Sequence, residues 1–153
     1  MRRLIFTALL CALVLPATAD AMIQVDQGIA GVRLDNTRAQ VRAALGKPAK
    51  VMTGSNEFGN FTEYRYRGGI RVTFQGGRRV TGVSTSGLGD RTARGVGVRS
   101  RESAVRNKVA GITCESVGGR VCHTGEFEAG QRVTAFLIRG GRVTRVDVGF
   151  VID

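Results

Sequence analysis

The chain has 153 residues, 42% of them hydrophobic, no tryptophan, and a formal net charge of +11. That length suits one compact domain or two small units sharing a core, and beyond the amino-terminal segment no apolar run is long enough to span a bilayer. Arginine outnumbers lysine 20 to 3. In an exported chain such a balance reads as a solvated basic surface among anionic envelope polymers, so nucleic acid is excluded as the expected partner.

Export itself follows from residues 1–21. Arg2 and Arg3 form a short positive region, Leu4 to Leu15 an apolar one, and small residues follow Pro16, as in a signal peptide cleaved after Ala21 or, alternatively, Ala19. Leu9 and Leu10 precede Cys11, so no lipid anchor is expected there. Cleavage removes Arg2, Arg3 and Asp20 and lowers the net charge by one. It also leaves Cys114 and Cys122 as an even pair, which in an exported chain means one disulfide.

Ile23 to Ala30 reads as an extended lead-in. A short helix follows, with Thr37 and Gln40 as a capping box, Val41 and Leu45 on one face, Gly46 at its end and Pro48 preventing it from resuming. Two turns do not persist alone in water, so a sheet is expected against Val41 and Leu45. Strands are expected near Phe61–Tyr66, Ile70–Gln75 and Val80–Thr85, separated by the glycine pairs Gly68-Gly69 and Gly76-Gly77. A loop at 67–69 sets Tyr66 opposite Ile70, Tyr64 opposite Val72 and Thr62 opposite Phe74, which keeps the apolar positions on one side. Val72 then faces Val83, and Phe74 faces Thr81.

After a linker at 86–94 the pattern returns: Gly31, Val32, Val41 and Arg42 are matched by Gly95, Val96, Val105 and Arg106, and Gly76-Gly77 by Gly140-Gly141. A second helix is expected over about Arg101–Ala110, capped by Ser100, with Glu102 in its first turn and Gly111 at its end. Thr113 to Thr124 reads as a hairpin whose loop, Val117-Gly118-Gly119, puts Cys114 across from Cys122. In the last hairpin Phe136 is expected opposite Val146 and Ile138 opposite Thr144. The fold class expected is α+β: two tandem repeats, residues 22–85 and 95–153, each a short helix packed on an antiparallel sheet of three to four strands.

No constellation for chemistry stands out, and no catalytic, cofactor or metal residues are expected. His123 is the single histidine, and one histidine beside oxidised cysteines makes no usual metal site. The two cysteines lack the two-residue spacing of redox motifs, and the glycine pairs are turns, since neither opens a helix with phosphate-loop spacing. Tyr64 and Tyr66 fall on the core side. The opposite sheet face carries Glu63, Arg65, Arg71 and Thr73 in the first half and Val133, Ala135, Leu137, Val143, Arg145 and Asp147 in the second. Apolar residues beside charged ones suit a partner-binding face, so Arg65, Arg71, Val133, Ala135, Leu137, Val143 and Arg145 are its candidates. Packing of Val133, Ala135 and Leu137 against the other repeat or a loop is the alternative.

The stretch Gly31–Pro48, with glycine, alternating apolar residues, a polar turn with threonine, and a short helix ending apolar-glycine-any-proline, resembles the opening helix of the small outer-membrane lipoprotein A family. Two such units in tandem resemble the beta-lactamase inhibitor protein superfamily, secreted proteins whose sheet binds a partner protein. Asp35 stands where the pattern usually carries glycine, the second copy lacks the proline, and no lipobox is present, so the resemblance implies a fold and a general binding role and no site residues. The expectation is a secreted, non-enzymatic protein-binding scaffold without cofactor, its partner another extracytoplasmic protein. A cell-envelope accessory held by charge at anionic wall polymer is the alternative.

Overall fold

The computed structural model describes residues 22–116 and 118–152. The expected signal peptide, its cleavage site and Cys11 lie outside the described residues. Eleven strands and two helices follow in the order β1 (Ile23–Gln24), β2 (Gly28–Ile29), β3 (Val32–Arg33), α1 (Arg38–Leu45), β4 (Lys50–Asn56), β5 (Gly59–Arg65), β6 (Ile70–Gln75), β7 (Gly82–Thr85), α2 (Glu102–Lys108), β8 (Ile112–Ser116), β9 (Arg120–Thr124), β10 (Arg132–Arg139) and β11 (Arg142–Phe150).

Strands β4 to β11 form one antiparallel sheet of eight, in the order β4-β5-β6-β7-β11-β10-β9-β8, and β1, β2 and β3 form a small meander. The two halves of the chain meet where β7 pairs with β11, with Val83 opposite Val148 and Gly82 opposite Gly149. This corrects the expected α+β class of two helix-on-sheet repeats: the structure is mostly β, 48% strand against 12% helix, built on one continuous sheet beside the small one. The backbone groups that two separate sheets would leave open at β7 and β11 are satisfied by each other.

One face of the sheet is covered. Val41 on α1 and Val105 on α2 are fully buried, and with Ile23, Ile29 and Val32 of the meander they pack on Tyr64, Val72, Phe74, Val83, Phe136, Val146 and Val148. Burying a valine side chain contributes about 1.5–3 kcal/mol, so packing rather than propensity holds the two short helices. Helix α1 carries the expected capping box between Thr37 and Gln40. It ends at Gly46, whose φ of 76° suits glycine and whose N–H donates to the Arg42 carbonyl at 2.8 Å. Helix α2 is shorter than expected and is capped by the backbone of Arg101, with no side-chain cap. Ser100 has another use: its Oγ accepts from the Gly97 N–H and from Arg91 Nη1, both at 3.0 Å.

The meander is fastened to the second half by Asp26. Its carboxylate accepts from the Thr134 hydroxyl at 2.9 Å and from that of Thr124, while its own N–H donates to Thr134 Oγ1 at 2.6 Å. Both threonines are buried on β9 and β10. The lead-in at Ile23–Ala30 is therefore a docked element bridging the covered face, not a simple extended segment.

The register of β5 and β6 follows the apolar pattern, with Tyr64 opposite Val72 and Thr62 opposite Phe74. Gly68 and Gly69, at φ of 84° and 94°, make the turn between them. Val72 lies opposite Val83, Phe136 opposite Val146, and Cys114 opposite Cys122, where the disulfide closes. Two pairs differ. The β6–β7 ladder ends at Thr73–Gly82, short of Phe74 and Thr81. In the last hairpin a bulge between Leu137 and Ile138 pairs Ile138 with Val143 instead of Thr144.

Candidate functional site

The other face of the sheet is where the candidate residues gather. Arg65, Arg71, Val133, Ala135, Leu137 and Arg145 alternate with core residues on β5, β6, β10 and β11, and so project away from α1, the meander and α2. Val143 does not join them. The bulge after Leu137 turns Val143 inward with Ile138, and it is 1% exposed in the core. Val133 stays on the outer side opposite Gly149 but is also buried.

Register fixes the order across this face. One row runs Lys50, Arg65, Arg71, Ser84, Asp147, Ala135, His123 and Thr113, each directly opposite the next. A second runs Glu63, Thr73, Gly82, Gly149 and Val133. At the middle of the second row two glycines face each other, so an open groove of about 360 Å³ lies there, walled by Arg71, Ser84, Arg145 and Asp147.

The groove's charges are partly paired. Glu63 forms an ion pair with Arg65 two residues on, and Asp147 accepts from Arg145 Nη2 at 2.8 Å. Loss of water around Asp147 pushes its carboxyl above the usual value of 3.8, opposed first by Arg145 and then by Arg71. The Arg71 side chain is exposed and has no hydrogen-bond or ion-pair partner among the described residues.

At the β9 end the face is closed. His123 is 5% exposed, under the ring of Phe127 at a centroid distance of 4.3 Å. Its Nδ1 lies 3.2 Å from the Gly125 carbonyl oxygen. Its Nε2 faces Glu115 Oε1 at 3.4 Å. The ring thus has a carbonyl, a carboxylate and an aromatic lid around it, with Thr113 opposite it on β8.

Sequence reasoning missed the burial of His123, because the lid comes from the loop at 125–131 and not from a strand neighbour. Tyr64 is 3% exposed, as the core reading expects, and its hydroxyl accepts from Arg42 Nη2 at 3.3 Å. The Tyr66 hydroxyl donates to the Gly46 carbonyl at 3.4 Å, and burial with the neighbouring Tyr64 raises its pKa, against a smaller opposing effect of Arg42.

On the covered side Glu102 of α2 holds two guanidinium groups, Arg106 at 2.9 Å and Arg120 at 2.5 Å. These hydrogen bonds lower its carboxyl to about 2. Glu102 lies near Cys114 and Cys122, but both sulfurs are joined in the disulfide and the carboxylate is occupied, so the three offer no free donor set. The disulfide agrees with an extracytoplasmic compartment, and no described helix is long and apolar enough to cross a membrane.

No protein-family model matches the chain, and no curated protein matches it. Among solved structures it is similar to an extracellular protein containing a SCP domain from Bacillus anthracis str. Ames, at 10% identity and a TM-score of 0.52, over 76% of this chain and 44% of that one. The chain thus spans less than half of that protein's length. It is also similar to a DUF4309 family protein from Bacillus subtilis subsp. subtilis str. 168, at 16% identity and a TM-score of 0.51, over 85% of this chain and 88% of that one. Neither is named for the families that Gly31–Pro48 resembles. At these identities the likeness is one of fold, and the fold alone assigns no activity.

Proposed function

We propose that the protein is a secreted, non-enzymatic scaffold that binds another extracytoplasmic protein on the outer face of its sheet, after cleavage of a signal peptide near Ala21. The observation that supports this reading is the asymmetry of the sheet. One face is filled by α1, α2 and the meander, whereas the other presents a groove of about 360 Å³ in which apolar positions adjoin charged ones. An open antiparallel face of mixed chemistry, carried on a rigid sheet, suits contact with a folded surface.

The test is capture from the extracellular fraction by immobilised protein, comparing the natural chain with a variant carrying Leu137→Arg and Ala135→Arg. Both positions lie on the outer side of β10 and are half-buried, so the fold should persist by circular dichroism. Loss of a captured protein supports the reading; the same captured set from the folded variant removes it.

The second reading, retention at anionic wall polymer by charge, draws on the excess of basic side chains, with Arg67, Arg78, Arg94, Arg99, Arg139 and Arg142 all exposed. It predicts release from the envelope by moderate salt. Retention that resists salt counts against it.

A further inference from the structure

We infer that the partner engages the outer face through an acidic polypeptide segment laid across the cations of Lys50, Arg65 and Arg71, an inference that rests on the outer-face reading above. Lys50 lies directly opposite Arg65, and Arg65 directly opposite Arg71, on three adjacent strands. Neighbouring strands are about 4.8 Å apart, and like charges directly opposite one another are destabilising. Internal compensation is incomplete. Arg65 is paired with Glu63, whereas the side chains of Lys50 and Arg71 are exposed and have no partner among the described residues. Beyond Ser84 the row reaches Asp147, which is already held by Arg145. This end of the face therefore carries uncompensated positive charge at fixed spacing on a rigid support, beside a groove.

The chemistry of the surroundings favours a polypeptide over a polyanionic polymer. Glu63 and Asp147 stand in or beside the row, so a strand of uniform negative charge meets repulsion along with attraction. Carboxylates on a polypeptide can meet Lys50 and Arg71 while neutral and apolar side chains meet Ala135 and the floor at Gly82 and Gly149. At Gly82 an added Cβ has ordinary contact distances, 3.8 Å to the Val148 carbonyl oxygen and 4.0 Å to Thr73 Cβ, so that floor has room.

The experiment measures binding of a fluorescent synthetic peptide of about ten residues, alternating glutamate and valine, by anisotropy at about 0.15 M ionic strength, with a polyphosphate chain of equal charge as the comparison. Four proteins are used: the natural chain, Lys50→Glu with Arg71→Glu, a control of equal charge change, Arg78→Glu with Arg94→Glu, whose side chains are exposed outside this row, and Leu137→Arg on the outer side of β10. The expected result is peptide binding that weakens by about tenfold or more in the row variant and by less than about threefold in the control. A peptide alternating lysine and valine should recover binding to the row variant. Absence of peptide binding by the natural chain, or equal weakening in both variants, overturns the inference. Polyphosphate bound more tightly than the peptide and lost in the row variant overturns it in favour of a polymer site. Binding lost in Leu137→Arg but unchanged in the row variant removes the cation row while the outer-face reading stands.

Discussion

Ile138 and Val143 lie directly opposite each other across the last hairpin, and both point into the core, 7% and 1% exposed. The bulge before Ile138 makes that pairing. Leu137, on the other side of the bulge, faces outward opposite Arg145. The two residues therefore answer differently to substitution. Val143→Ala should cost about 2 kcal/mol by loss of packing, and Val143→Glu more than about 3 kcal/mol because a charge enters the core. Leu137→Arg should stay within about 0.5 kcal/mol. Urea midpoints check all three; equal effects at Val143 and Leu137 would place both on one face.

Asp26, from the meander, accepts hydrogen bonds from the hydroxyls of both Thr124 and Thr134. Asp26→Ala strands two buried hydroxyls and should destabilise by about 1–3 kcal/mol. Asp26→Asn keeps an acceptor and tolerates the left-handed backbone at φ 58°, so it should lose less. Hydrogen exchange localises the effect: the amides of Ile23 and Ile29 should lose protection in Asp26→Ala before those of β10.

The Cys114–Cys122 bridge closes a short loop, with a sequence separation of 8. On the chain-entropy account it contributes about 2–3 kcal/mol. Free-thiol titration of the denatured, exported protein should find none, and a reductant should lower the urea midpoint without abolishing folding. Two titratable thiols would refute the bridge.

Acid tests the clamp at Glu102. Its carboxyl is lowered from 4.5 to about 2 by Arg120 and Arg106, so the folded state binds its proton less readily than the unfolded state does. The stabilisation is fully present above pH 4.5 and is lost as pH falls toward about 2. The group is partly exposed, which holds the contribution to less than about 1 kcal/mol. Glu102→Gln should flatten the stability curve between these pH values and leave it unchanged in slope above them; an unchanged acid limb in that variant would dismiss the clamp.

Local chemistry made much of this legible. The Thr37–Gln40 box, the stop at Gly46, the facing of Tyr64 with Val72 and of Cys114 with Cys122 each depend on residues a few positions apart. Other features depend on partners far away in the chain. Strand β4 was hidden because Gly54, Ser55 and Asn56 are exposed and show no apolar alternation. The two-residue strands of the meander are too short to carry any period. The join of Val83 to Val148 unites segments with no local signal for each other, which is why two repeats were expected where one sheet formed. For the candidate face, period-two alternation placed Arg65, Arg71, Val133, Ala135, Leu137 and Arg145, and failed at Val143 because a bulge breaks that period. The cation row needed the register of β4, and so was invisible until that strand was known.

The position of β11 in the sheet has a consequence for how the chain acquires its structure. This strand sits between β7 and β10 although it follows every other strand in sequence. Until residues 142–150 arrive, β7 and β10 are two open edges with an unfilled gap between them, and Val83 and Phe136 lack the neighbours that bury them. Folding is thereby deferred: the early hairpins can form by themselves, but the core closes only once residues 142–150 have paired with both β7 and β10. Such late, long-range closure makes for slow folding.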